Sequence, residues 1–293
     1  MLQPAQLQSA LQAVSQRHSV LRTSFFQDAE TSQPMKGVAS SSFIQFEHKT
    51  IANDHDVESE MERVKKHAFD LENGKTLIVL LLSRSSDSHH IIVGYHHMIM
   101  DGVSWLIFLQ DLNSAYSCKI LSPLNHDYLD FSINRRKAIQ NGELKTEIDF
   151  WKEEFPDVPG PLKLFPFSRV ESRCTMTEYD THTFDINIDA DLMAQIKKTS
   201  TGLRITPFHF YLSAIQFLLQ PFLEGNDLVI GIMDANRNEE NSLNIMGFFL
   251  NLLPLRFKLD DEQSFADVAR STRKKVSRPW AIPDCLLTSY WTS

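Results

Sequence analysis

The longest apolar runs in this chain are short: Leu77 to Leu82, and Tyr211 to Leu223 with polar breaks. Neither reaches the about 20 apolar residues of a membrane-spanning helix, and they read as a buried strand and a buried helix. Leu77 to Ser83 and a second strand-like run, Ile91 to Tyr95, are separated by Arg84-Ser85-Ser86-Asp87-Ser88, a polar loop that makes the two a hairpin. The hairpin ends on His96-His97-Met98-Ile99-Met100-Asp101-Gly102. Beyond it, Trp105, Phe108, Leu109 and Leu112 recur at helical spacing within Val103 to Tyr116. A histidine pair therefore sits on a strand-to-helix turn.

Elsewhere the same two periodicities alternate. Leu7, Ala10, Leu11 and Val14 predict a helix over 4–18, leading into a strand-like run from Leu21 to Phe25. Residues 28–41 are polar and turn-rich, followed by a strand at Phe43 to Lys49 and a helix at about Asp56 to Phe69. Pro156, Pro159, Pro161 and Pro166 mark a boundary between two lobes, which a length of 293 residues accommodates. Past it, Thr183, Asp185, Asn187 and Asp189 interleave with Phe184, Ile186 and Ile188 as in a strand, and Thr206-Pro207 opens an apolar helix. A short strand, Leu228 to Ile232, the loop Met233 to Arg237, an apolar segment from Met246 to Leu255 and a helix from Ser264 complete the pattern.

Net charge limits the partners. At −8, with one dense basic run, Arg270 to Lys275, read at a helix end, the chain gives no reason to expect a nucleic-acid partner. Cys118, Cys174 and Cys285 are odd in number and widely spaced, so neither a disulfide framework nor a zinc site is signalled. The start, Met1-Leu2-Gln3-Pro4-Ala5-Gln6, lacks the basic and apolar regions of a secretory signal. A soluble, untargeted cytoplasmic protein is the expectation.

The histidines carry the chemistry. On a continuing strand His96 and His97 would point to opposite faces, leaving one for a cleft and one for structure. An imidazole, whose ordinary pKa is about 6.5, can accept the proton of an attacking amine or hydroxyl, a help typically worth about 10²–10⁴-fold. Asp101 can fix the turn through backbone hydrogen bonds or pair with an arginine, and Gly102 would allow a backbone form or approach closed to a side chain. The same residues also fit a satisfied polar turn. A metal site is disfavoured, since no third soft ligand lies near and His89-His90 repeats the dipeptide without such a setting.

His96-His97-Met98-Ile99-Met100-Asp101-Gly102 resembles the HHxxxDG signature of condensation domains, acyltransferases related to chloramphenicol acetyltransferase. Arg17-His18-Ser19-Val20-Leu21-Arg22-Thr23-Ser24-Phe25 resembles their RHxxLRTxF element. Met246-Gly247-Phe248-Phe249-Leu250-Asn251-Leu252-Leu253-Pro254-Leu255-Arg256 resembles their later GxFxNxxPLR-type element, and the three occur in the family's order. Looser agreement comes from Asp127-Tyr128-Leu129-Asp130-Phe131, Phe150-Trp151-Lys152 and Gly231 to Arg237. The phrasing of that last loop and of Phe248 to Arg256 looks most like fungal polyketide synthase–nonribosomal peptide synthetase hybrids.

The resemblance implies an α/β (α+β) fold of two chloramphenicol acetyltransferase-like lobes forming a V, with a tunnel entered from opposite sides by two carrier-bound thioesters. Residues 1–160 would form the N-terminal lobe, 161–276 a partial C-terminal lobe and 277–293 an atypical tail. His97 would be catalytic, assisting attack of the acceptor amine on the donor thioester or orienting the amine and stabilising the tetrahedral intermediate. His96 and Gly102 would support it, and Asp101 would be structural and paired with Arg22. Asn236, Arg237 and Asn251 would line the bridging part of the tunnel. No intrinsic cofactor or metal is implied: substrates would arrive on phosphopantetheine arms of carrier domains, or of a megasynthase, acting in trans. The absent DxxxxD variant disfavours heterocyclisation, and the Met246 to Arg256 element disfavours epimerisation. Relatives of this kind begin with a further helix and strand and continue well past Val276, so a chain shortened at both ends is expected. That leaves a free-standing acyl-CoA-type acyltransferase, or an inactive remnant, as alternatives.

Overall fold

Residues 2–172, 183–237 and 240–280 are described by a computed structural model of the chain, and they surround separate cores in two units. The first unit comprises Met1–Glu143 with Ala235–Leu250; the second comprises Leu144–Asp234 with Asn251–Ser293. The Pro156–Pro166 stretch is not where the division falls. Trp151 and Phe155, upstream of it, already pack in the second core.

The first unit contains α1 (Pro4–Arg17), β1 (Thr23–Gln27), β2 (Pro34–Val38), β3 (Gln45–Thr50), α2 (Asp54–Lys65), β4 (Leu77–Ser83), β5 (His89–Tyr95), α3 (Gly102–Tyr116) and α4 (Tyr128–Gln140). Strand β4 is central, parallel to β3 and antiparallel to β5. Its apolar run has no polar alternation because both faces are covered. Leu77, Val79 and Leu81 join the core with Leu11, Val14, Ile99 and Phe108, while Ile78, Leu80 and Leu82 join Ile51 and the α2 side chains Val57 and Val64. Each such buried side chain is worth about 1.5–3 kcal/mol over an exposed one. The helix expected to reach Phe69 stops at Lys65, and Phe69 instead packs beneath β4 and β5.

Strand β2 lies in the stretch expected to be a polar loop. It pairs antiparallel with β1, from Thr23 opposite Val38 to Gln27 opposite Pro34. Its residues are largely exposed, so pairing rather than apolar alternation defines it. Helices α1 and α3 are clamped by a buried polar contact: Asp111 accepts from Arg17 Nη1 at 3.1 Å and meets His18 Nε2 at 2.6 Å, with His18 only 1% exposed. The Arg17-His18 pair of the first sequence element thus has a structural task.

The second unit contains α5 (Lys145–Glu154), α6 (Ala190–Leu203), α7 (Pro207–Leu219), β6 (Asp227–Asp234), β7 (Asn251–Lys258) and α8 (Phe265–Trp280). Strands β6 and β7 pair antiparallel, Asp227 opposite Lys258 and Asp234 opposite Asn251. Their inward Leu228, Ile232, Leu253 and Leu255 pack with Trp151, Leu212 and Val276. Thr206 caps α7 as expected, accepting the His209 N–H while His209 Nδ1 accepts the Thr206 N–H.

Two expectations fail here. Residues 183–189 form no strand: no ladder partner faces them among the described residues, and Phe184 and Ile186 stand 82% and 84% exposed. Alternation alone cannot make a strand without a neighbour to bond. The basic run Arg270 to Lys275 lies within α8 rather than at its end, since the helix continues through Trp280. The remainder of the expected tail, 281–293 with Cys285, and Cys174 lie outside the described residues; Cys118 is exposed.

At Gly94 on β5 the α2 side chain Val64 packs against the sheet backbone: a Cβ there would run into Val64 Cγ1 and approach Ile78 Cγ2 to 3.1 Å. Gly94→Ala is therefore expected to cost about 1–3 kcal/mol of stability through overpacking, read as a lower urea midpoint at unchanged slope.

Candidate active site

Strand β5 delivers the histidine pair and stops there. The His96 N–H still bonds the Thr76 carbonyl at 2.9 Å, but the Ile99 N–H returns to the His96 carbonyl at 3.1 Å and turns the chain. The opposite-face rule for a continuing strand gives way to a turn, which separates the two rings in a different manner. His96 is half-buried; its Nδ1 accepts the Met98 N–H at 3.3 Å and its ring meets Phe69 edge-on at 6.1 Å. With Nδ1 an acceptor, the proton of the neutral ring resides on Nε2. His97 is exposed, stands perpendicular to Phe248 with centroids 5.1 Å apart, and makes no hydrogen bond within the described residues. Ile99 and Met100, fully buried, fasten the turn to the core.

Asp101 is the centre of the polar network, at 2% exposure. It caps α3 by accepting the Ser104 N–H at 2.7 Å. Its two oxygens also accept from Arg237 Nη2, at 3.1 and 3.2 Å, and Oδ2 accepts the Phe249 N–H at 3.0 Å. Arg237 donates in turn from Nη1 to the carbonyls of Ser242 (2.5 Å) and Ile245 (2.7 Å), and from Nη2 to Ser104 Oγ (2.8 Å). The guanidinium lies over the Phe249 ring at 4.1 Å. Burial pushes its pKa down and Asp101 opposes that shift. Ser104 Oγ–H donates to the Gly247 carbonyl at 2.6 Å and accepts the Gly247 N–H at 3.0 Å.

The partner of Asp101 is thus Arg237, and the expected pairing with Arg22 does not form. Arg22 is spent on backbone near β1: its Nε donates to the Ser15 carbonyl at 2.9 Å and its Nη1 to the Ala39 carbonyl. Gly102 is also differently employed. It is the first residue of α3 with no left-handed backbone, and a Cβ there would meet nothing within 4 Å, so neither strain nor close packing demands glycine. Of the bridging candidates, Arg237 joins the Asp101 network and Asn236 adjoins it in a left-handed conformation (φ 50°), buried. Asn251 belongs to the second unit, opposite Asp234 at the start of β7.

Sequence reasoning passed over Ser104, Asp111 and Tyr128. Tyr128 follows the Asp127 cap of α4, and its hydroxyl donates to the Phe248 carbonyl at 2.7 Å. Burial, with the charge of Asp101, pushes its phenol up to about 12. The only signal for it was the loose agreement of Asp127 to Phe131. Asp101→Asn keeps a cap acceptor but leaves the Arg237 guanidinium buried without its counter-charge, so a loss of about 3–5 kcal/mol is expected, and Asp101→Asn with Arg237→Met should lose less than the sum of the singles. Gly102→Ala, meeting open space in a helix, should be as stable as the parent or more so; thermal unfolding checks both.

Comparison with known proteins bears on this arrangement. The family model for the condensation domain matches residues 1–279. The chain is 40% identical over 270 residues to the polyketide synthase-nonribosomal peptide synthetase phmA of Phaeosphaeria nodorum, covering 92% of this chain. It is 36% identical over 275 residues to the hybrid PKS-NRPS synthetase apdA of Emericella nidulans, covering 94%. In both cases it spans 7% of the relative's length. Its fold superposes on the condensation domain from the Monacolin K polyketide synthase MokA with a TM-score of 0.85 at 22% identity, over 99% of this chain and 67% of that one. With the double-histidine turn and its buried aspartate in place, the chain belongs to the condensation-domain family.

Proposed function

We propose that the chain forms an amide bond between a carrier-bound acyl or polyketidyl thioester and an aminoacyl thioester, with His97 assisting the attack. The observation that carries this reading is the exposed His97 imidazole, free of hydrogen bonds to the described residues, on a turn whose next residues but one are fully buried. A ring so placed has both nitrogens open to a substrate and a mount that does not move with it.

In the proposed step the amine nitrogen bonds to the thioester carbonyl carbon and the C–S bond breaks. The proton lost by nitrogen passes through His97 to the departing thiolate, so amide and thiol account for every atom. Neither metal nor diffusible cofactor enters that balance; the substrates come on phosphopantetheine arms of carrier domains. Asp101 takes no part in proton transfer in this reading, since its oxygens are filled by Arg237, Ser104 and Phe249. The similarity to polyketide–peptide hybrid synthetases supports a polyketidyl donor and an aminoacyl acceptor. A cytoplasmic setting goes with it, and no helix among the described residues is long and apolar enough to cross a membrane.

The test is amide formation followed by mass spectrometry, with the purified chain, an acyl thioester on one carrier protein and an aminoacyl thioester on another. His97→Ala should lower the rate about 10²–10⁴-fold in protein that still unfolds cooperatively. No product from the folded parent chain, or product only when soluble CoA thioester replaces the donor carrier, would overturn the carrier-dependent reading, the latter outcome in favour of a free-standing acyltransferase.

A further inference from the structure

The ring of Phe248 stands against the His97 imidazole, and the backbone on both sides of Phe248 is held by hydrogen bonds. Upstream, Gly247 exchanges two hydrogen bonds with the Ser104 hydroxyl, at 2.6 and 3.0 Å. Downstream, the Phe249 N–H is fixed on Asp101 at 3.0 Å. Between them, the Phe248 carbonyl is held by the Tyr128 hydroxyl at 2.7 Å. The Tyr128 ring itself is wedged against Gly247, where a Cβ would strike its Cδ2 and Cγ atoms, stacks on Phe131 and meets Phe249 edge-on. On this fastened backbone the half-buried Phe248 ring stands perpendicular to the imidazole, centroids 5.1 Å apart.

We propose that Tyr128 and Phe248 are positioning residues for His97: the tyrosine hydroxyl sets the Phe248 backbone, and the Phe248 ring sets the orientation of the imidazole. An edge-to-face ring pair is worth about 0.5–1.5 kcal/mol beyond its buried area, enough to favour one orientation of an exposed side chain several-fold over the others. The tyrosine is suited to a constant hold. Its phenol pKa of about 12 keeps the donor proton in place throughout the range in which an imidazole titrates. The Lys36 ammonium also lies over the Tyr128 ring, 5.1 Å from its centroid.

The kinetic part of this inference rests on the amide-forming role of His97, whereas its structural part does not, so two readouts separate them. The first is the proton NMR signal of the His97 ring, assigned by its disappearance in His97→Ala. In Phe248→Leu the ring-current shift of that signal should vanish, in Phe248→Tyr it should persist, and in the isosteric Tyr128→Phe it should move part of the way. The second is single-turnover amide formation. Tyr128→Phe and Phe248→Leu should slow it roughly tenfold with the half-saturating concentration of both thioesters unchanged, and Phe248→Tyr should restore the rate. A His97 signal that ignores Phe248→Leu or Tyr128→Phe in folded protein overturns the proposal whatever the activity. A signal that follows both variants in a chain that makes no amide upholds the positioning and removes the reaction assigned to it.

Discussion

One buried ion pair underlies the site. Removing a carboxylate and a guanidinium from water costs several kcal/mol per ion, and their attraction repays this only when the remaining donors and acceptors are also filled. Around Asp101 and Arg237 they nearly all are: two oxygens take four contacts from three groups, and Arg237 adds two carbonyls, one hydroxyl and an aromatic face. Each partner group belongs to something the site requires. Ser104 is the first turn of α3, Phe249 leads back to the ring beneath His97, and the Ser242 and Ile245 carbonyls shape the loop that carries Arg237. Loss of the Asp101 carboxylate would leave the guanidinium buried without a counter-charge, and loss of Arg237 would free the Ser242 and Ile245 carbonyls as well as strand the acid.

The turn owes its spacing to the same arrangement. Three residues separate His97 from Asp101, and two of them, Ile99 and Met100, are driven fully into the core. Met98 remains outside, and its N–H is held by His96. The signature therefore encodes an anchored loop: two histidines on the strand's exit, two apolar anchors, and an acid that starts the helix. Its fixed spacing follows from the distance between a strand end and a helix cap packed on one core.

Local features of this kind were legible in the sequence, because strand and helix periodicities and caps depend on neighbouring residues. Strand β4 appeared at its observed bounds, and Thr206-Pro207 marked the start of α7. What escaped depends on distant residues. Arg22 was the nearer and more plausible mate for Asp101 within a known motif, but nothing in either segment records that Arg22 is used up by the carbonyls of Ser15 and Ala39. Likewise β2 exists because β1 lies beside it, and 183–189 is not a strand because no described segment does. The tasks of Arg17 and His18 became visible only with Asp111, more than ninety residues away in sequence.

The distance between Asp101 and Arg237 also sets a timetable. The two are 136 residues apart, so a ribosome adding about 5–20 residues per second leaves the acid without its base for roughly 7–27 s, before the guanidinium has cleared the exit tunnel. Throughout that interval β4, β5 and α3 are already synthesised, and the core that Met246 will later complete stays open. The nascent first unit must wait with a charge it cannot bury, kept wet and loosely packed until Ala235–Leu250 arrives. Aggregation or chaperone capture competes with folding in that window, and the unit closes only once Ala235–Leu250 has been made.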